Sequence, residues 1–138
     1  MNFLLDTNTV SEWVKPRPNP GLMDWMESAD EDRIFISVVS LAEIRYGVER
    51  LAAGRRRNHL EQWLRYELPL RFENRILPVD VAIAEVWGKT VLRSEAAGRP
   101  IGVMDAFLAA TAETHQLTLV TRNVSDFPLF KALLNPWT

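Results

Sequence analysis

Four acidic residues, Asp6, Glu43, Asp105 and Asp126, fall beside the ends of apolar runs or at the openings of helical ones. They come from four separated segments, and three of them can converge on one edge of a sheet. Carboxylates brought together raise one another's pKa, so such a group calls for a neutralising cation. The set offers oxygen donors with no histidine or cysteine, which points to Mg²⁺ or Mn²⁺ rather than zinc. An ion of that kind polarises a phosphodiester and lowers the pKa of a coordinated water. The spacing does not choose between one ion and two.

Taken singly, three of the acids have structural explanations. Ser40-Leu41-Ala42-Glu43 fits a capping box, with Glu43 reaching back to the Ser40 amide. Asp105 in a first helical turn complements the helix dipole. Asp126 before Phe127-Pro128 fits an Asx turn. Asp6 is explained least well in this way, because a carboxylate directly after a buried strand is costly unless paired or metal-bound. Thr7 and Asn8 beside it can orient a ligand, although Thr7 or Thr9 could instead cap the following helix. Thr121 and Asn123 precede Asp126 in the same segment.

Other candidates are weaker. His59 and His115, the two histidines, sit on expected helix faces away from any Ser or Cys nucleophile setting. The five tryptophans read as core and interface mass. Arg55-Arg56-Arg57 reads as a solvated basic turn that could touch phosphates. No glycine-rich phosphate loop is present.

The elements that must hold these groups alternate. Residues 2–5 form a first strand, and Pro16, Pro18 and Pro20 break the chain before a helical stretch from Gly21 to Ser28. Arg33 to Val39 reads as a buried strand. A helix opens at Ser40, with Leu41, Ile44, Val48 and Leu51 on one face and Gly54 as its stop. Leu60, Trp63 and Leu64 mark another helix that Pro69 should interrupt. Arg75 to Val79, which contains Pro78, is a short or edge strand. Asp80 caps a long helix that faces inward through Ile83, Val86, Trp87 and Val91 and ends at Gly98. Residues 103–115 form an Ala-rich helix, 117–121 a buried strand, and Phe130 to Leu134 a possible last strand. Apolar strands joined by crossover helices imply an α/β fold with a parallel sheet covered on both faces. Ligands in such sheets bind beyond the carboxyl ends of the strands.

Composition sets the bounds. With 138 residues, 47% hydrophobic and 25% charged, the chain reads as one globular α/β domain over 1–138. The absence of cysteine excludes a thiol nucleophile and a disulfide scaffold. A net charge of -2 means that any nucleic-acid role must rest on local basic groups or a metal. No signal peptide or membrane span is legible, so a cytoplasmic protein is expected.

The segments Leu4-Leu5-Asp6-Thr7-Asn8, Ser40-Leu41-Ala42-Glu43-Ile44-Arg45-Tyr46-Gly47, Ile101-Gly102 with Met104-Asp105-Ala106-Phe107-Leu108-Ala109-Ala110, and Thr121-Arg122-Asn123-Val124-Ser125-Asp126-Phe127 stand in order across almost the whole chain. The closing Asn135-Pro136-Trp137 adds to them. In these the sequence resembles PIN-domain ribonucleases, specifically the VapC- and FitB-like toxins of type II toxin–antitoxin modules. The resemblance implies a three-layer α/β/α domain with a central parallel sheet, and Mg²⁺- or Mn²⁺-dependent endonucleolytic cleavage of RNA. It matches Asp6, Glu43 and Asp105 to the family's three core acids. Many members carry Asp where this chain has Asn123, so Asp126 is the fourth acid and Asn123 a supporting group with Thr121, Thr7 and Asn8. The resemblance also implies a homodimer and a small antitoxin whose tail blocks the acidic pocket, in a hetero-oligomer that could sit on operator DNA.

Two other functions compete. One is a PIN-like module with little catalysis that acts by binding an antitoxin or DNA. The other is phosphoryl transfer from an aspartate nucleophile, which needs a second Asp at position 8, where this chain has Asn8.

Overall fold

The computed structural model describes all 138 residues. Five strands form one parallel sheet: β1 Phe3–Leu5, β2 Ile34–Ser37, β3 Ile76–Leu77, β4 Thr118–Val120 and β5 Leu133–Leu134. Their order in space is β3-β2-β1-β4-β5. Seven α-helices cover it: α1 Thr7–Trp13, α2 Pro20–Ser28, α3 Val38–Glu49, α4 Arg55–Gln62, α5 Leu68–Arg71, α6 Val81–Ala96 and α7 Val103–His115.

Period-two alternation along the strands divides the core between the two faces. Leu5, Ile34, Ile36 and Val120 point to one face, where they pack with Val10 of α1, Ile44 and Val48 of α3, and Leu64, Leu68 and Phe72. Leu4 and Leu119 point to the other, where they meet Leu108, Ala109 and Ala112 of α7. The small side chains of α7 let it lie close to the strands, and α6 packs along α7. The result is the three-layer α/β/α arrangement expected from the sequence.

Several boundaries differ from the expectation. β2 ends at Ser37, and α3 begins at Val38 rather than Ser40, because the Ser37 hydroxyl caps the Val39 amide at 3.0 Å. The β-branched pair Val38-Val39 masks that boundary, since it extends the strand pattern into the first helical turn. Gly54 does not stop α3, which ends at Glu49; it precedes α4, so Arg55 to Arg57 form a first helical turn. Pro69 does not break the run from α4 to α5. A π-helical stretch, Trp63–Glu67, comes just before it, and the Leu68 amide donates to the Trp63 carbonyl five residues back. That wider winding accommodates a proline that has no N–H and crowds the preceding turn. No helix is long and apolar enough to cross a membrane.

Candidate active site

The strand order reverses between β1 and β4, and a crevice in an open α/β sheet forms beyond the carboxyl ends of such a pair. Leu5 is in register with Val120, so Asp6 and Thr121, each one residue past its strand, lie side by side. The Asp6 amide donates to the Val120 carbonyl at 2.9 Å. The Thr9 hydroxyl donates to the same carbonyl at 2.9 Å and fixes the start of α1 to β4.

Asp6 is buried, 6% exposed. Its Oδ1 accepts the Thr7 amide at 2.7 Å and its Oδ2 accepts the Thr121 hydroxyl at 2.7 Å. Burial pushes its pKa up; the Thr121 and Thr7 hydrogen bonds pull it back, and the charges of Glu43 and Asp126 push it up further. Asp6 is also the N-cap of α1. The cap is therefore neither Thr7 nor Thr9, and capping is part of what Asp6 does. Capping does not account for its place in a group of acids.

Glu43 reaches the site from the second turn of α3, not the first. The capping box does not form, since Ser37 takes the N-cap position. Glu43 Oε1 instead accepts the Thr7 hydroxyl at 2.6 Å. Asp105 comes from the first turn of α7. Burial, then the charges of Asp6, Asp126 and Glu43, push its pKa up to about 6. A helix N-terminus ordinarily lowers a carboxyl pKa, so the repulsion and burial outweigh the dipole here. Asp126 ends a 3₁₀ turn, Val124–Asp126, and is exposed.

The structure thus brings all four acids into one electrostatic group. Thr7 donates to two of its carboxylates, Asp6 through its amide and Glu43 through its hydroxyl, and Thr121 donates to Asp6. Asn123 acts through its backbone, its amide donating to Thr121 Oγ1 at 3.0 Å, while its side chain lies in an exposed position. The Asn8 side-chain carbonyl lies 3.3 Å from Thr9 Oγ1, whose hydrogen goes to the closer Val120 carbonyl. His59 and His115 are exposed, and all five tryptophans are half-buried.

The sequence reading did not single out Ser40 as a site residue. It is fully buried, and its hydroxyl lies 2.9 Å from Thr7 Oγ1. Assigning the helix cap to Ser37 would have freed Ser40 for another role.

No three of the carboxylates close around one point as a ready-made cage. The donor set itself fits a hard divalent cation: oxygen atoms only, mutually repelling, with Asp6 and Asp105 both pushed toward protonation.

Residues 3–128 match the PIN domain family model. Toxin FitB of Neisseria gonorrhoeae is 36% identical over 136 residues, which cover 98% of each chain. VapC ribonuclease Y4jK of Sinorhizobium fredii is 30% identical, covering 98% of this chain and 97% of its own. Among solved structures, FitAcB from Neisseria gonorrhoeae superposes with a TM-score of 0.90 at 35% identity, covering 98% of each chain. With the sheet order, the acid group and these similarities in agreement, the chain belongs to the PIN-domain family.

Proposed function

We propose that this protein is a Mg²⁺- or Mn²⁺-dependent endoribonuclease and the toxin of a type II toxin–antitoxin pair, its 138 residues acting as one domain. The observation that carries this is the acid group: Asp105 pushed up to about 6 by burial and by Asp6, Asp126 and Glu43. A protein tolerates such repulsion where a cation relieves it, and strongly perturbed carboxyls cluster at functional sites. Support also comes from relatives called a toxin and a ribonuclease.

Asp6, Glu43 and Asp105 would hold the ion, with Asp126 as the fourth acid. When bound, such an ion supplies a Lewis acid for the scissile phosphodiester and a water of lowered pKa. Thr121 and Thr7 orient Asp6 by donating to its two oxygens, and these bonds oppose the rise that burial imposes on its pKa. Glu43, held by Thr7 through Oε1, would leave Oε2 for the ion or for the proton released by the attacking water. The acid pocket repels RNA phosphates until it is neutralised, so cleavage depends on the cation for binding as well as chemistry. The same unpaired carboxylates would attract a basic antitoxin tail, which could inhibit by occupying their place. Asp6→Asn removes the charge but keeps the shape, so it should abolish RNA cleavage with the fold intact. A fully active Asp6→Asn protein would refute the proposal.

A further inference from the structure

One residue joins the two most firmly held acids. Thr7 donates its amide to Asp6 Oδ1 at 2.7 Å and its hydroxyl to Glu43 Oε1 at 2.6 Å. Asp6 belongs to the β1–α1 junction and Glu43 to α3, and Thr7 links the two carboxylates directly, through its amide and its hydroxyl. A hydroxyl carries a single hydrogen. With that hydrogen committed to the Glu43 carboxylate, the 2.9 Å contact between Thr7 Oγ1 and Ser40 Oγ has one possible direction: Ser40 donates and Thr7 accepts. Ser40 is fully buried and lies one helical turn before Glu43, on the side of α3 that faces α1. Its hydroxyl has no other partner among the hydrogen bonds of the site. The helix cap does not need it, because Ser37 supplies that bond.

We propose that Ser40 and Thr7 form a one-way hydroxyl relay, Ser40 to Thr7 to Glu43, which fixes Glu43 against Asp6 in the geometry needed for cation binding and RNA cleavage. Both are positioning residues, and this role rests on the nuclease function proposed above. The Ser40 hydrogen occupies a lone pair on Thr7 and keeps the Thr7 hydrogen turned toward Glu43. Oε1 is thereby occupied, and Oε2 is left free for the cation. Without the relay, Glu43 swings away from Asp6, driven by the repulsion between them.

The test is a variant set on the full chain, Thr7→Val, Thr7→Ser, Ser40→Ala and the Thr7→Val/Ser40→Ala pair, with Mn²⁺ binding by calorimetry and RNA cleavage kinetics as readouts. Thr7→Val keeps the amide bond to Asp6 and the side-chain shape but lacks the hydroxyl. It should lose about 10- to 100-fold in Mn²⁺ affinity and in kcat, as outer-shell partners of metal ligands do. At saturating Mn²⁺ the loss should appear in kcat, with KM for RNA nearly unchanged. Thr7→Ser restores the donor and should recover most of both losses. Ser40→Ala should move both quantities the same way by less, and it should add nothing to Thr7→Val, since Ser40 acts only through Thr7. Wild-type Mn²⁺ affinity in Thr7→Val, or a full additional loss from Ser40→Ala in the pair, overturns the relay, as does a fall in Tm alone. If Thr7→Val does not fold, Thr7→Ser and Ser40→Ala decide by the same Mn²⁺ measurement. If the wild-type chain cleaves no RNA, the nuclease function fails, while the Mn²⁺ cycle still decides the relay.

Discussion

Asp105→Asn should stabilise the cation-free protein at neutral to alkaline pH. The carboxyl of Asp105 moves from 3.8 to about 6 through burial and through the charges of Asp6, Asp126 and Glu43, with no hydrogen bond opposing the shift. A carboxyl whose folded pKa is raised binds more protons folded than unfolded between those two values. Stability from this group is therefore fully present below about pH 4 and is lost as pH rises through about 6. Two pKa units correspond to roughly 3 kcal/mol. Asp105 is only half-buried, and solvent screening reduces this to on the order of 1–1.5 kcal/mol. For a chain of this size that is about 3–7 °C in Tm. Melting curves of wild type and Asp105→Asn in chelator, from pH 4 to pH 8, check it. The variant should melt higher at pH 8, and the gap should close toward pH 4. Mg²⁺ should then raise the Tm of the wild type and leave the variant almost unmoved. A variant that melts lower than wild type at pH 8 in chelator, or keeps its advantage at pH 4, would refute the electrostatic reasoning.

Other expectations follow from the packing and the site. Asp126→Asn should reduce RNA cleavage at least about tenfold, whereas Asn123→Ala should leave it within about threefold, because Asp126 adds charge to the site and Asn123 contributes its backbone amide. A cleavage assay with the two variants side by side distinguishes them, and the opposite ranking would assign Asn123 to the cation. Leu5→Ala, at a fully buried position of β1, should cost about 2–5 kcal/mol in urea unfolding. Gly21→Ala should cost about 1–3 kcal/mol, since a Cβ there would stand 2.5 Å from the Pro136 carbonyl oxygen and from Thr138 Cγ2. Urea midpoints measure both, and an unchanged midpoint for Gly21→Ala would show that the C-terminal residues do not press on α2.

The layers and helices α6 and α7 were legible because their signals agree: apolar strands in a parallel sheet, Asp80 as a cap bonded to Ile83 at 3.0 Å, and Gly98 at a positive φ of 71° where α6 stops. The start of α3 was not, because Val38 and Val39 favour a strand locally while the Ser37 hydroxyl commits them to a helix. Nor was the winding ahead of Pro69, since a proline marks a break and says nothing about a π-turn that absorbs it. At the site, residue type and position along the chain pointed to the four acids. What the sequence could not carry was how they are held. The bonds from Thr121 to Asp6 and from Thr7 to Glu43 span 115 and 36 residues, and only the register of β1 with β4 and the packing of α1 on α3 create them. That is why Glu43 reads locally as half of a capping box and Ser40 as its other half.

The most direct measurement of the central claim is RNA cleavage by the purified chain after exhaustive chelation, with single divalent ions then restored. The acid group of Asp6, Glu43, Asp105 and Asp126 should leave the chelated protein inert, and Mg²⁺ or Mn²⁺ should restore cleavage to the wild type but not to Asp6→Asn. Sustained cleavage by the wild type in excess chelator, or cleavage by Asp6→Asn on ion addition, would contradict it.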